Sequence, residues 1–306
     1  MTLSLPCQLM CAAANAYDIQ APSGDYEPTA MFADAVGWTS GPTAYSAGSD
    51  NVDAMLVGNI AGAEGEPDAL VIAFRGTVAP APSFTSVKDW IQDVLTHTET
   101  VTAAGEPVPG KVHEGFWNAL NDLWTDVLKN ASAAEGKIYI TGHSKGAALA
   151  PLAAAALYFG SGIEAAGVYS FAPPHCGNSD FVKGFPSSVP VTRYENVLDV
   201  VPLMPPTPEV VKGLKHHEVW KLIFELYERD DYEPLGTLEY IDANGDVQTG
   251  SDVLSSVDRL NDILDKFDAD DFSTVLDAHC HACKGTSCAG GYMQGACGGA
   301  VCFPGA

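Results

Sequence analysis

Between residues 69 and 197 the chain alternates short apolar runs with longer stretches whose apolar residues recur at helical spacing. "ALVIAFRGT" (69–77) is apolar, β-branched and ends at a turn, which predicts a buried strand. "EGFWNALNDLWTDVLKNA" (114–131) places Phe116, Leu120, Leu123, Trp124, Val127 and Leu128 on one helical face. "KIYITG" (137–142) predicts another short buried strand, and "KGAALAPLAAAALYFG" after it an alanine-rich helix. "GVYSFAPP" (167–174) and "VTRYENV" (191–197) predict the next two strands. This strand–helix alternation is the pattern of a layered α/β sheet.

The flanks read differently. In "MTLSLPCQLMCAAANAYD", Ala14-Asn15-Ala16 mimics a leader cleavage site, but no basic region precedes it and Gln8 interrupts the apolar segment. Leu9, Ala12, Ala13, Ala16 and Tyr17 recur at helical spacing and predict an amphipathic helix. If the protein is exported, this reading has its leader already removed, or another route in use. "HHEVWKLIF" and "LEYIDANGDVQTG" predict extended segments, with Asn244-Gly245 as a type I′ hairpin turn. Asp242, Asn244 and Asp246 resemble a calcium loop only faintly, because the glycine is misplaced and no glutamate follows at the required distance. "SSVDRLNDILDKFDADD" (255–271) predicts an acidic surface helix. The proline-rich patches at 79–82 and 202–208 read as loops, and no internal repeat interrupts the chain. The expectation is one domain over 1–306, with a cysteine- and glycine-rich tail, 280–306, packed on it.

Composition narrows the function classes. The 306 residues are 46% hydrophobic and 18% charged, an ordinary globular balance. A formal net charge of -24 argues against nucleic acid or an anionic membrane as partner. No apolar run approaches the roughly 20 residues that span a bilayer. Two of the eight cysteines lie near the N-terminus (Cys7, Cys11), Cys176 is isolated, and five crowd the C-terminus (Cys280, Cys283, Cys288, Cys297, Cys302). Such clustering predicts disulfides bracing the tail and an oxidising, extracytoplasmic compartment. A zinc site using Cys280, His281, Cys283 and Cys288 is the alternative, and free thiols are a third.

The candidate chemistry begins at "TGHSKGAALA" (141–150). Gly142 and Gly146 bracket Ser144 between a strand and a helix, the setting of a nucleophile elbow, where bulkier neighbours clash. A serine hydroxyl needs a base, a carboxylate to orient that base, and donors for the oxyanion. Asp199, in "YENVLDVVPLMPP", lies just past a strand where a loop carboxylate can reach an imidazole, with Glu195 the weaker competitor. The histidine comes from His216, His217, His279 or His281; the last two, in a loop after the last helix, suit a mobile base better.

The ordered segments "FRGT", "DWIQD", "VHEGFWNAL", "TGHSKGAAL", "SFAPPHCGN", "RYENVLDVVPLMPP", "HHEVW" and "TVLDAH" together resemble the class 3 (fungal-type) triacylglycerol lipase family, from about Ala69 to His279. The resemblance implies an α/β-hydrolase fold: a mostly parallel central sheet with helices on both faces. It implies Ser144 as nucleophile, Asp199 as acid, His279 as base, and the N–H groups of Thr77 and Lys145 as the oxyanion hole. It also implies that His113 supports the elbow and that "SVKDWIQDV" (86–94) lies near a lid.

The chain departs from the family pattern in three places, one of them the cysteine-rich tail, which has no counterpart in the family core. Lys145 replaces a usually apolar residue; its side chain is expected to pair with a neighbouring acid, with a role as base the lesser alternative. His175-Cys176 replaces "R-V" and reads as local repacking. The function expected is a serine carboxylic ester hydrolase, secreted and free of cofactors, acting on acylglycerols or other esters at an oil–water interface. A short-chain or feruloyl-type esterase and a phospholipase A1 are alternatives within hydrolases. A non-catalytic binding module on the same scaffold is the alternative of another class.

Overall fold

In a computed structural model, residues 3–77, 95–214, 217–249, 253, 255–269, 271–280 and 291–298 are described. The segment 86–94, His216, His281 and Cys283, Cys288 and Cys302 lie outside them. Eight strands form one sheet: β1 (Trp38–Ala47), β2 (Asp53–Ile60), β3 (Ala69–Phe74), β4 (Ile138–His143), β5 (Gly167–Phe171), β6 (Val191–Asn196), β7 (Thr237–Ile241) and β8 (Val247–Gln248). They lie side by side in chain order. The first two pairings are antiparallel, β3 to β7 run parallel, and β8 returns antiparallel.

The helices are α1 (Leu5–Asn15), α2 (Ala30–Val36), α3 (Glu114–Ser132), α4 (Lys145–Ser161), α5 (Ser179–Gly184), α6 (Pro208–Gly213), α7 (Glu218–Glu225), α8 (Ser256–Asp268), α9 (Phe272–His279) and α10 (Tyr292–Cys297). The twofold side-chain period of the strands divides the core. Met55, Val57, Leu70, Ile72 and Phe74 face α3 and α4, while Ala54, Leu56, Ala69, Val71 and Ala73 face α1 and α10. Both faces of β2 and β3 are covered, which is why these strands read as continuous apolar runs. Truncating a residue such as the fully buried Ile72 to alanine removes contacts on a packed face, at a cost of about 2–5 kcal/mol.

Four expectations about elements change. The N-terminal helix is not amphipathic: Cys7, Leu9, Met10, Cys11, Ala12, Ala13 and Ala14 are all buried, because α1 sits between the sheet and α10. "HHEVWKLIF" is not extended; α7 occupies 218–225 with the buried Phe224 on its inner side. Asn244-Gly245 is not a two-residue type I′ turn. Tyr240 pairs with Gln248 and Ile241 with Val247, leaving a longer loop in which the Asp242 carboxylate accepts the N–H groups of Asn244 and Asp246. His279 is not in a loop after the last helix: it is the final residue of α9, and α10 follows.

The tail is tied to the other end of the chain. Cys7 on α1 is disulfide-bonded to Cys297 on α10, across 290 residues. Cys11 and Cys176 are free thiols. Among the described residues no helix is long and apolar enough to cross a membrane.

Candidate active site

β4 ends at His143, and the chain turns at once into α4 with Ser144 at φ 59°, ψ −128°. Such a backbone costs an L-residue energy and persists only where the surroundings impose it. Here Ser144 N–H donates to the Phe171 carbonyl at 2.9 Å, and its own carbonyl accepts Ala147 N–H at 2.9 Å. The two glycines are required by space. A Cβ on Gly142 would lie 2.3 Å from the Gly146 carbonyl carbon, and one on Gly146 would lie 2.2 Å from the Phe74 carbonyl oxygen. The end of β3 is therefore pressed against the elbow, which brings Gly76 beside it. A Cβ on Gly76 would be 2.7 Å from the His143 carbonyl oxygen.

His279 Nε2 lies 2.9 Å from Ser144 Oγ, and its Nδ1 lies 3.0 and 3.2 Å from the two carboxylate oxygens of Asp199. A carboxylate only accepts, so Nδ1 carries the proton and Nε2 is left to accept the serine hydroxyl. Asp199 is fully buried just beyond β6. Its Oδ1 accepts Val201 N–H at 2.9 Å and its Oδ2 accepts the Tyr292 hydroxyl at 2.5 Å. The same Tyr292 oxygen accepts Asn196 N–H at 3.1 Å.

A second chain of bonds holds the backbone of His279. Its carbonyl accepts His143 Nε2–H at 2.9 Å, which leaves His143 Nδ1 as acceptor for the Tyr17 hydroxyl at 2.8 Å. Asn196 Nδ2 donates to the Ala278 carbonyl at 2.8 Å. Burial is the main reason that the Tyr17 and Tyr292 phenols stay protonated far above the usual range, so both remain donors.

The structure thus brings together Ser144, Asp199, His279 and Lys145, with Gly76, the residue before Thr77, against the elbow. Glu195 is elsewhere, between Arg193 at 2.8 Å and Arg259 at 2.6 Å. His217 faces Asp268 and Asp265 on α8, at 3.1 and 3.4 Å. His113 Nδ1 accepts Phe116 N–H and caps α3, and its ring stacks on Phe116. Lys145 pairs with Asp53 at 2.7 Å, as a half-buried lysine beside a nucleophile requires. His175 and Cys176 are buried, and His175 Nδ1–H donates to the Pro205 carbonyl at 2.7 Å.

Sequence reasoning missed Tyr292, Tyr17, Asn196 and Asp53. His143 sat inside a quoted motif, so a signal for it existed. Tyr292 stands in a stretch without periodicity, where nothing marks one tyrosine as special.

This sheet, with a serine on a strand-to-helix elbow facing a histidine and a buried aspartate, is an α/β-hydrolase fold. Residues 71–209, a little under half of the chain, match the family described as Lipase (class 3). The secreted mono- and diacylglycerol lipase A of Penicillium cyclopium is 31% identical over 143 residues, covering 45% of this chain and 43% of the relative. A lipase of Rhizomucor miehei is 32% identical over 147 residues, 45% of this chain and 38% of the relative. The aligned part of the chain spans less than half the length of these relatives. Among solved structures, the mono- and diacylglycerol lipase of Aspergillus oryzae superposes with a TM-score of 0.56 at 20% identity, covering 84% of each chain. The native Rhizomucor miehei lipase propeptide complex gives 0.55 at 21% identity, covering 89% of this chain and 77% of that one.

Proposed function

We propose that this protein is a serine carboxylic ester hydrolase, a lipase that cleaves acylglycerol esters through an acyl-enzyme. The observation that carries the reading is the unbroken chain Ser144 Oγ, His279 Nε2, His279 Nδ1, Asp199, held at hydrogen-bond distances on a strained elbow. The mono- and diacylglycerol lipase names of the relatives support the substrate class, and the secreted relatives support a secreted protein.

In this reading His279 Nε2 takes the Ser144 proton as Oγ bonds to the ester carbonyl carbon. The oxyanion formed is bound by the N–H groups of Thr77 and Lys145, each such donor being worth about 3 kcal/mol. Collapse breaks the bond to the leaving alkoxide, which receives the proton from His279 Nε2. Water, deprotonated by the same nitrogen, then attacks the acyl-Ser144 ester. Its collapse releases the carboxylic acid and returns the proton to Ser144. Asp199 keeps the imidazole in the required tautomer and stabilises the imidazolium. The chain is read as one hydrolase domain on which the C-terminal segment packs. The steps use only side chains, backbone amides and water.

Hydrolysis of p-nitrophenyl esters of increasing chain length, together with an emulsified diacylglycerol, tests the substrate class. Activity that persists on long acyl chains and rises with the emulsion supports a lipase. Activity confined to short chains, with none on the emulsion, makes the protein an esterase.

A further inference from the structure

The residue after Ser144 carries an ammonium, and the surroundings give it a task. Lys145 Nζ donates to Asp53 Oδ1 at 2.7 Å and to the Val52 carbonyl at 3.3 Å. The pair is largely withdrawn from water, with side-chain exposures of 18% for Lys145 and 8% for Asp53. Asp53 is boxed in on its other side, since a Cβ on Gly48 would lie 2.9 Å from Oδ2.

The opposite flank of the site reaches the same segment. Arg75, two residues before Thr77, donates through Nη2 to the carbonyls of Asn51 at 2.7 Å and Val52 at 3.0 Å. Its Nη1 donates to the Ile19 carbonyl. The Val52 carbonyl therefore receives both Arg75 and Lys145. One short stretch, residues 51–53, grips the turn that carries the Thr77 amide and the residue that supplies the second amide.

We propose that Asp53 and Lys145 form a positioning pair for the oxyanion hole. The ion pair fixes the first residue of α4 against the segment that also anchors Arg75, and so sets the spacing of the two backbone donors. The proposal rests on the oxyanion roles assigned above to Thr77 and Lys145. Neither side chain touches substrate. A misplacement of about 1 Å costs on the order of 100-fold in rate, and two donors aimed at one oxygen are sensitive to it.

The test compares Lys145→Met, Asp53→Asn, the double variant and Lys145→Arg. Each is assayed for kcat and KM on a soluble ester, and for Ki of an alkyl trifluoromethyl ketone, which forms a tetrahedral oxyanion on the serine. Lys145→Met retains the backbone N–H and puts an apolar chain of similar length on the first turn of a helix, so it reports even if Asp53→Asn does not fold. The expected result is a ten- to hundredfold fall in kcat for Lys145→Met and for Asp53→Asn, with Ki raised by the same factor and KM within twofold. The double variant is no worse than the worse single, and Lys145→Arg recovers most of the loss. Unchanged kcat and Ki in folded single variants, or a fall in kcat with Ki unmoved, overturns the proposal. Wild-type protein that forms no ketone adduct at Ser144 overturns the catalytic reading beneath it, and that outcome is distinct because it is seen before any variant is made.

Discussion

The Tyr292 hydroxyl donates to the same Asp199 carboxylate that receives His279 Nδ1–H. A residue near the C-terminal end of the chain thereby holds the orienting acid of the candidate triad. Tyr292→Phe removes that donor from a fully buried carboxylate while keeping the ring in place. The expected outcome is a kcat lower by about tenfold and a stability lower by about 1–2 kcal/mol, read from ester hydrolysis and chemical denaturation. An unchanged kcat would show that Val201 N–H alone suffices to orient Asp199.

In the proposed mechanism Nε2 of His279 is the base, so His279→Ala is expected to lower kcat by at least about 10³-fold while His281→Ala retains most activity. Asp199→Asn leaves the shape intact but favours the wrong tautomer, and a loss of about 10⁴-fold is expected. Single-turnover assays on a p-nitrophenyl ester distinguish these cases. Loss of activity in His281→Ala alone would move the base by two positions.

The disulfide between Cys7 and Cys297 closes a loop of 290 residues, which in the chain-entropy account is worth on the order of 5 kcal/mol. It also fixes α10, the helix that carries Tyr292. Cys297→Ser is the variant of choice, because Cys11 Sγ lies within 4.8 Å of both bridged sulfurs and re-pairing with Cys297 would mask a change at Cys7. Lower thermal stability and a reduced kcat in the folded population are expected. A variant as stable and active as the parent would show that the termini are held by packing alone.

Acid sensitivity should come from two buried groups. Burial is the main cause that lowers the His175 pKa from 6.5 to about 4, against the opposing bond to the Pro205 carbonyl. The unfolded chain binds this proton first, so stability is intact above about pH 6.5 and declines as pH falls towards 4. The loss is on the order of 3 kcal/mol at about 1.4 kcal/mol per pH unit. Glu195 adds a lower step. Burial pushes its carboxyl up, but Arg259 and Arg193 together outweigh this and hold it below the ordinary value. Its contribution is complete above the unfolded pKa, near 4.3, and fades as pH drops through the folded one. Melting temperatures from pH 7 to 3 should fall in these two windows, and His175→Asn should flatten the upper one alone. Glu195→Gln should cost about 3–5 kcal/mol at neutral pH, since it leaves Arg259 buried with its charge unpaired.

Much of this arrangement was legible in the chain because it follows from short-range rules. Buried parallel strands are continuous apolar runs, so β3, β4, β5 and β6 could be placed from residue types. The elbow was legible because backbone-to-backbone contact leaves glycine as the residue that fits on each side of Ser144. Long-range juxtaposition was not legible. Nothing local says that Tyr292 meets Asp199, that Tyr17 meets His143, or that Cys7 meets Cys297. α7 was misread because "EVWKLIFE" has residues that suit a strand, and its helix is settled by burial of Phe224 against its neighbours.

The central claim is that Ser144 is a nucleophile activated by His279. Labelling the folded protein with an alkyl organophosphonate, followed by peptide mass spectrometry, tests it most directly. The account predicts one stoichiometric adduct on Ser144, with labelling strongly slowed in His279→Ala. No adduct on Ser144 in correctly folded protein, or equal labelling rates in both proteins, would contradict it.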